Sequence, residues 1–293
     1  MGNQPKGYLF LYKNKVYIFF LLILLLFLLS NFFKKKKIPQ NKLLRNKIPN
    51  ILFKTGPFNI NDLPIEIKKS IYQSSKLLNC QVVYFNDIQC RILIKNNFPK
   101  MVLEAYDLLI PKAFKSDLWR YCVLYLYGGF YGDLSQTILQ KIDQNFFSND
   151  LVLVKDRPNC NCDTNIQISF MASKPKNRFL KFVINQITLK ILRKDKGQCR
   201  FDITGPVAFG KLFCFFFRVD KVYPGKNIYL GLDDIKYLIN IPFQEVGSFI
   251  STINNRNNYI IKTKTNNHFK LLYRNYKQHY RYQWEQDLVF KES

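Results

Sequence analysis

The stretch SDLWRYCVLYLYGGFYGDLSQ, residues 116–136, constrains the fold more than any other part of the chain. Its first half reads as a helix. Ser116 is a candidate N-cap, Asp117 sits where the first turn favours a carboxylate, and Leu118, Tyr121, Cys122, Tyr125 and Leu126 form one apolar stripe. Gly128 and Gly129 then end the helix, because glycine takes the left-handed conformation of a C-terminal cap at no steric cost. Beyond them FYGDLSQTI alternates, which predicts a strand with Tyr131, Asp133 and Ser135 on one face and Phe130, Gly132 and Leu134 on the other. A lone acid, Asp133, is thereby delivered beside the helix that carries Asp117 and Arg120.

Asp117 and Arg120 stand three apart, so a helix makes them neighbours. One reading is an exposed ion pair worth ~0.3–0.5 kcal/mol. The other is a carboxylate and a guanidinium presented together to a polyhydroxylated or phosphorylated ligand, a task that suits the planar fork of arginine.

The surrounding sequence alternates strand-like and helix-like runs without an internal repeat, which indicates a layered α/β domain. ILFKTG (51–56) and CQVVYFN (80–86) read as strands, with PIEIKKSIYQSSKLL (64–78) as the helix between them. LVLVKD (151–156) and IQISFMAS (166–173) read as further strands, and RFLKFVINQITLKILRK (178–194) as a helix. Thr204 to Pro206 looks like a helix start with proline in the first turn, while the last forty residues are aromatic, basic and ambiguous.

With 293 residues, 47% of them hydrophobic and 16% aromatic, the chain has enough apolar surface for a packed core, and disorder is excluded for most of its length. The formal charge of +25 is of the kind that binds phosphates or anionic membranes. Outside Lys34–Lys37, however, the basic residues are scattered, amid the Lys, Asn, Ile, Phe and Tyr of an AT-rich composition, so no nucleic-acid partner is expected. Seven cysteines make an odd number without repeating spacing, and free thiols are expected rather than a disulfide framework. Cys160 and Cys162 are spaced CxC with no second pair and only His268 and His279 elsewhere, which argues against zinc.

Residues 16–33, VYIFFLLILLLFLLSNFF, would span roughly 27 Å as a helix, enough for a bilayer core. A cleaved signal peptide is the alternative, but KKKK follows instead of a small-residue cleavage site, which favours a single-pass anchor in the lipid bilayer. The expected organisation is a tail at 1–15, the anchor at 16–33, a basic linker at 34–47 and one domain over 48–293. Lysines flank the span on both sides, with more after it, and the positive-inside rule therefore favours a cytosolic domain. The absence of an Asn-x-Ser/Thr sequon agrees with that side.

SDLWRY followed by YGGFYGD resembles the DXD-containing sugar-binding region of glycosyltransferases similar to the yeast initiating α-1,6-mannosyltransferase and the glucosylating bacterial toxins. IPNILFKTG (48–56) is similar to that family's first strand, usually IPKIIHQTW, and YFND (84–87) to its second strand and following acid. IQISFMASKP (166–175) and DITGPVAF (202–209) resemble later family stretches in the right order. The resemblance implies a GT-A fold, a Rossmann-like domain with a doubly wound mixed sheet, that transfers a hexose, mannose among the candidates, with retention from a UDP- or GDP-sugar. The implied acceptor is a glycan, glycoprotein or glycolipid, and the implied location the Golgi or another endomembrane.

By the same resemblance Asp117 and Arg120 hold the donor sugar, Asp133 meets a divalent Mn2+ or Mg2+ or the ribose, and Tyr131, Ser135 and Gln136 line the donor pocket. Lys54 and Thr55 sit where the first strand meets the nucleotide, Asp87 supports the nucleoside side, and His279 resembles a C-terminal residue that closes such sites and can touch the metal. One departure stands out. The family's second acid falls where this chain has Ser135, and a neutral hydroxyl is a poorer ligand for a hard dication. Either the diphosphate supplies more of the coordination, or another acid such as Asp163 or Asp202 substitutes, or the chain is a non-catalytic binder of glycans or nucleotide-sugars.

Overall fold

A computed structural model describes residues 47–292 except 144, 146–147, 159, 161, 231–235, 247–248, 253, 256 and 264–278. All of these belong to the unit Asn41–Ser293. The expected tail, anchor and basic linker, Lys47 apart, lie outside the described residues. Among the described residues no helix is long and apolar enough to cross a membrane.

Strand β1 (Ile51–Gly56), helix α1 (Ile65–Leu78) and strand β2 (Gln81–Asn86) form the parallel βαβ unit read from the sequence, in register from Ile51 opposite Gln81 to Gly56 opposite Asn86. Asn79 ends α1 in the left-handed conformation, where its short polar side chain is tolerated. Asn86 then opens α2 (Asp87–Asn97) with a capping box shared with Gln89, which turns the chain sharply at the end of β2.

Helix α3 (Lys100–Leu108) starts after Pro99, and α4 (Lys112–Tyr127) after Pro111. The start of α4 differs from the sequence expectation. Ser116 is not its cap but lies one turn inside, because Pro111 already supplies a residue that cannot extend the helix backwards. Gly128 and Gly129, at φ 65° and 94°, carry the chain from α4 into β3 (Gly129–Gly132). A Cβ on Gly128 would come 2.6 Å from the Pro175 nitrogen, and one on Gly129 would come 2.6 Å from the Ile51 oxygen. Both positions therefore need glycine for space as well as for conformation.

The remaining elements are β4 (Thr137–Ile138), β5 (Leu151–Lys155), β6 (Ile166–Ser173), α5 (Arg178–Leu192), α6 (Pro206–Phe217), β7 (Gly225–Leu230), β8 (Lys236–Val246), β9 (Phe249–Thr252), β10 (Tyr259–Lys262) and α7 (Tyr280–Glu285). They join one mixed sheet in the order β2-β1-β3-β6-β5-β8-β9-β10-β4, with β7 also paired to β8. β3 lies parallel to β1 and antiparallel to β6, with Gly132 opposite Phe170. β5 and β8 are parallel, so β1, β2, β3, β5 and β8 all end along one edge.

Both faces of the sheet are covered. On one, Leu52, Phe130, Val152 and Phe170 pack with Leu78 of α1, Ile138 of β4, Ile250 of β9 and Ile261 of β10. On the other, the Phe53, Phe85 and Trp119 rings meet in sequence, joining β1 and β2 to α4. Each fully buried side chain of this size stabilises the fold by about 1.5–3 kcal/mol. Strands β1 and β6 match the sequence reading, and α5 ends two residues earlier than expected.

The cysteine expectation fails at one pair. Cys160, in the β5–β6 loop, is disulfide-bonded to Cys199, in the segment between α5 and α6, across 39 residues. Sequence spacing gives no sign of it, because the pairing arises from the tertiary approach of two loops. The other five cysteines are free thiols.

Candidate active site

Several of the candidate residues gather where β1, β3 and β6 meet the N-terminal half of α4. Asp117 and Arg120 project from α4 into the protein, not outward to solvent, with side chains only 13% and 5% exposed. The exposed ion-pair reading is thereby excluded. Arg120 Nη2 pairs with Asp117 Oδ1 at 2.7 Å, Nη1 reaches Asp133 Oδ1 at 3.4 Å, and Nη1 also donates to the Ile168 carbonyl at 2.7 Å. The guanidinium lies over the Tyr131 ring, 4.4 Å from its centre. One arginine thus binds two carboxylates from two elements, a geometry that suits its planar fork of donors.

Asp133 is held further by the Tyr131 hydroxyl, which donates to Oδ1 at 2.8 Å and lies 3.2 Å from Ser116 Oγ. Its backbone N–H donates to the Ser169 carbonyl at 2.9 Å, which fixes the chain as it leaves β3. Here the strand expectation is corrected. β3 stops at Gly132, and Asp133–Gln136 is a turn closed by the Gln136 N–H on the Asp133 carbonyl at 2.9 Å. Asp133 and Ser135 therefore do not share a strand face. Ser135 Oγ instead donates to the Thr263 carbonyl at 3.3 Å.

Asp117 has a partner that the sequence did not suggest. Thr204 Oγ1 donates to Asp117 Oδ2 at 2.8 Å, and the Thr204 carbonyl accepts from the Tyr121 hydroxyl at 2.7 Å. Burial raises the Asp117 carboxyl to about 6, while Arg120 and the Thr204 hydrogen bond oppose the rise. Tyr280 at the start of α7 is another addition. Burial, opposed by Arg200 and reinforced by Asp117 and Asp133, raises its phenol, which places it in the field of both acids. Its ring lies 5.8 Å from Phe114 of α4.

The other expected residues are spread around this cluster. Lys54 is buried, and its ammonium donates to the carbonyls of Asp133 at 2.8 Å, Gln136 at 3.4 Å and Gly132 at 3.5 Å. Burial lowers its pKa to about 8 against the opposing charge of Asp133. Thr55 Oγ1 donates to the Phe85 carbonyl at 2.9 Å and contacts Cys90 Sγ at 3.0 Å. Gln136 Nε2 donates to Ser169 Oγ at 2.7 Å, and its buried Oε1 has no partner among the described residues. Asp87 lies in the first turn of α2, paired with Lys112 at 2.9 Å. His279 caps α7, accepting from the Arg281 N–H through Nδ1 at 3.3 Å, and its ring lies tilted against that of Tyr280 with the centres 4.6 Å apart.

A second acidic feature lies on the same edge of the sheet. Asp156 follows β5 and hydrogen-bonds Glu245 of β8, while Gln167 Nε2 donates to Glu245 Oε2 at 2.5 Å. Arg157 approaches Glu245 at 3.8 Å. Burial first, then the Glu245 hydrogen bond, raises Asp156 to about 8.

Among the described residues no three His, Cys, Asp or Glu side chains converge on a common point. Of the two substitute acids considered, Asp202 is tied to Lys211 at 2.9 Å and accepts the Gln198 N–H, and Asp163 is exposed beside Lys155. The donor set nonetheless fits a hard dication of the kind held by one carboxylate, phosphate oxygens and water. Asp133 is 37% exposed, and only its Oδ1 is engaged by the described residues.

Residues 66–152 match the family described as glycosyltransferase sugar-binding region containing DXD motif. That span includes Asp117, Arg120, Tyr131 and Asp133, so the resemblance read from the sequence holds over the segment that builds the cluster. A solved structure of the PaToxG glycosyltransferase is similar at 15% identity and a TM-score of 0.44, covering 58% of this chain and 70% of that one. A search of curated protein sequences finds no match.

Proposed function

We propose that this chain is a GT-A-like hexosyltransferase that takes its sugar from a nucleoside diphosphate donor. The observation that carries this reading is the chain of charges Asp117–Arg120–Asp133 at the sheet edge, its first two members buried and its third half-exposed, inside the matched segment. Arg120 would hold hydroxyls of the donor sugar together with Asp117, and Tyr131 would set the orientation of Asp133. Asp133 Oδ2 would hold Mn2+ or Mg2+, which when bound neutralises the charge of the departing diphosphate. Thr55 and Asp87 would border the nucleoside from the ends of β1 and β2. Tyr280 and His279 would close the site from the C-terminal side.

In the transfer, the bond from the anomeric carbon to the diphosphate oxygen breaks and one to an acceptor hydroxyl oxygen forms. The acceptor proton leaves to solvent or to the diphosphate. The chain's own contribution is to place the sugar and exclude water, since Arg120 and Asp117 are already desolvated and paired before the donor arrives.

The reading extends to a membrane-anchored enzyme of an endomembrane compartment, with residues 16–33 in the bilayer. The Cys160–Cys199 bridge supports placing the domain on the oxidising, luminal side, against the lysine count after the span. Ser135 favours a second reading, a non-catalytic binder, because its hydroxyl is turned to the Thr263 carbonyl. Incubating the full-length chain with a panel of UDP- and GDP-hexoses and Mn2+ separates the two. Release of free UDP or GDP supports the enzyme, and saturable binding without release supports the binder.

A further inference from the structure

Lys54 is expected beside the nucleotide, but its amine is turned to the backbone of the segment that carries Asp133. Its ammonium is buried 78 to 82 residues away in sequence from the three carbonyl oxygens it contacts, those of Gly132, Asp133 and Gln136. An ammonium has three N–H donors and no acceptor capacity, and here each donor meets one oxygen. The three carbonyls lie at the end of β3 and in the turn that follows it, one close to the amine at 2.8 Å and two at 3.4 and 3.5 Å. Lys54 reaches them because β1 and β3 are parallel neighbours, with Phe53 opposite Tyr131 and hence Lys54 beside Gly132.

We propose that Lys54 is the positioning residue for Asp133: a cation carried by the chain itself that gathers the turn Gly132–Gln136 and so fixes the acid's place in the donor site. Asp133 is then held from two sides. Its backbone is set by Lys54 and by the Ser169 carbonyl, and its carboxylate by Tyr131 and Arg120. Without Lys54, the Gly132 carbonyl loses the side-chain donor seen here, and the Asp133 and Gln136 carbonyls, which also accept from the Gln136 N–H and the Ser70 hydroxyl, each lose one of two donors, so part of the desolvation cost of buried polar groups returns. The turn would relieve that cost by rotating outward, which carries Asp133 away from Arg120. A Cβ on Gly132 would lie 3.5 Å from Gln136 Oε1 and 3.6 Å from Lys54 Nζ, so both side chains close over this residue.

Two features separate this from ordinary core packing. An apolar residue would fill the volume at position 54 without meeting any carbonyl, and a packing role needs no donor there. The partners, moreover, all lie at the end of β3 and in the turn that carries Asp133, whereas Thr55 next in sequence bonds only to the Phe85 and Cys90 side.

The inference rests on the donor reading above for its functional consequence, and not for its structural one. The test uses the full-length chain as wild type, Lys54→Met, Lys54→Arg and Lys54→Gln, each with and without Asp133→Asn. Hydrogen exchange is measured first, without any donor. Lys54→Met should speed exchange at least tenfold in the peptide containing Gln136, whose N–H closes the turn, and leave α5 unchanged; Lys54→Arg should recover most of the protection. Hydrolysis of UDP-glucose and GDP-mannose with Mn2+ is measured second. Asp133→Asn should cost far less in the Lys54→Met background than in wild type, and Lys54→Met should raise KM more than it lowers kcat. Unchanged exchange at Gln136, or full additivity with Asp133→Asn, overturns the proposal. If wild type hydrolyses neither donor, the donor reading loses support while the exchange arm still decides Lys54. Should Lys54→Met not fold, Lys54→Gln, which keeps one donor group of similar reach, gives the same comparison.

Discussion

Thr204 Oγ1 donates to Asp117 Oδ2 at 2.8 Å, joining the start of α6 to the first half of α4 across 87 residues. The hydroxyl is fully buried, and so it is committed to this acid. Asp117 is raised to about 6 by burial, and Thr204 is one of the two groups that hold it down. The ionised form is the one that pairs with Arg120, so donor binding is expected to fall as pH drops through about 6. Thr204→Val should move that midpoint upward and cost about 1–3 kcal/mol of stability. The checks are donor affinity from pH 5 to 8 and thermal melting; an unmoved midpoint would remove Thr204 from the site.

Arg120→Lys keeps the charge and loses the fork. A single ammonium cannot reach Asp117, Asp133 and the Ile168 carbonyl at the distances now observed. We expect kcat/KM for donor hydrolysis to fall about 100-fold, roughly 2.7 kcal/mol, with a lower melting temperature from the poorly satisfied buried acids. Wild-type kinetics in this variant would mean that the fork does not hold the sugar.

Much of this frame was legible in the sequence because it rests on local rules. The βαβ start, the break at Gly128 and Gly129 and the pairing of Asp117 with Arg120 each follow from spacing within a single turn or strand. What was hidden depends on distance in the chain. Thr204, Tyr280 and the partner of Cys160 lie far from the elements they touch, and no local pattern marks them. Alternation carried the strand past Gly132 to Ser135, because periodicity cannot see that the Gln136 N–H turns back to the Asp133 carbonyl. For Lys54 the sequence read proximity to the nucleotide, and the fold adds the carbonyls that its amine meets.

The Asp156–Glu245 pair makes stability fall as pH rises. The folded state holds the Asp156 proton to about 8, whereas an unfolded chain releases it near 4, so the folded state binds more protons between those values. The stabilisation is complete below about pH 4 and is lost as pH rises through about 8. Asp156→Asn supplies a permanent amide donor in place of the shared proton. Its melting temperature should therefore decline less between pH 5 and 9 than that of the wild type, and parallel declines would contradict the shared-proton account.

Reduction of Cys160–Cys199 should act on the site as well as on the fold. The bridge anchors the segment that leads to Thr204, and Asp202 within it is bound to the Cys199 carbonyl at 2.9 Å. Opening it should cost roughly 2–4 kcal/mol, and should raise the donor KM by loosening Thr204 from Asp117. Melting and donor kinetics with and without dithiothreitol, with Cys199→Ser as control, measure both effects. A lower melting temperature at unchanged KM would confine the bridge to stability.

The most direct test of the central claim is a metal titration of donor hydrolysis by wild type and Asp133→Asn, run on whichever UDP- or GDP-hexose the wild type cleaves. Asp133 offers the cluster's only half-exposed carboxylate oxygen to a dication. Excess chelator should abolish hydrolysis by the wild type, with Mn2+ or Mg2+ restoring it, and Asp133→Asn should stay at least about 100-fold below wild type at saturating metal while melting within a few degrees of it. Undiminished wild-type hydrolysis in chelator, or equal activity of Asp133→Asn, would contradict the account at its central residue.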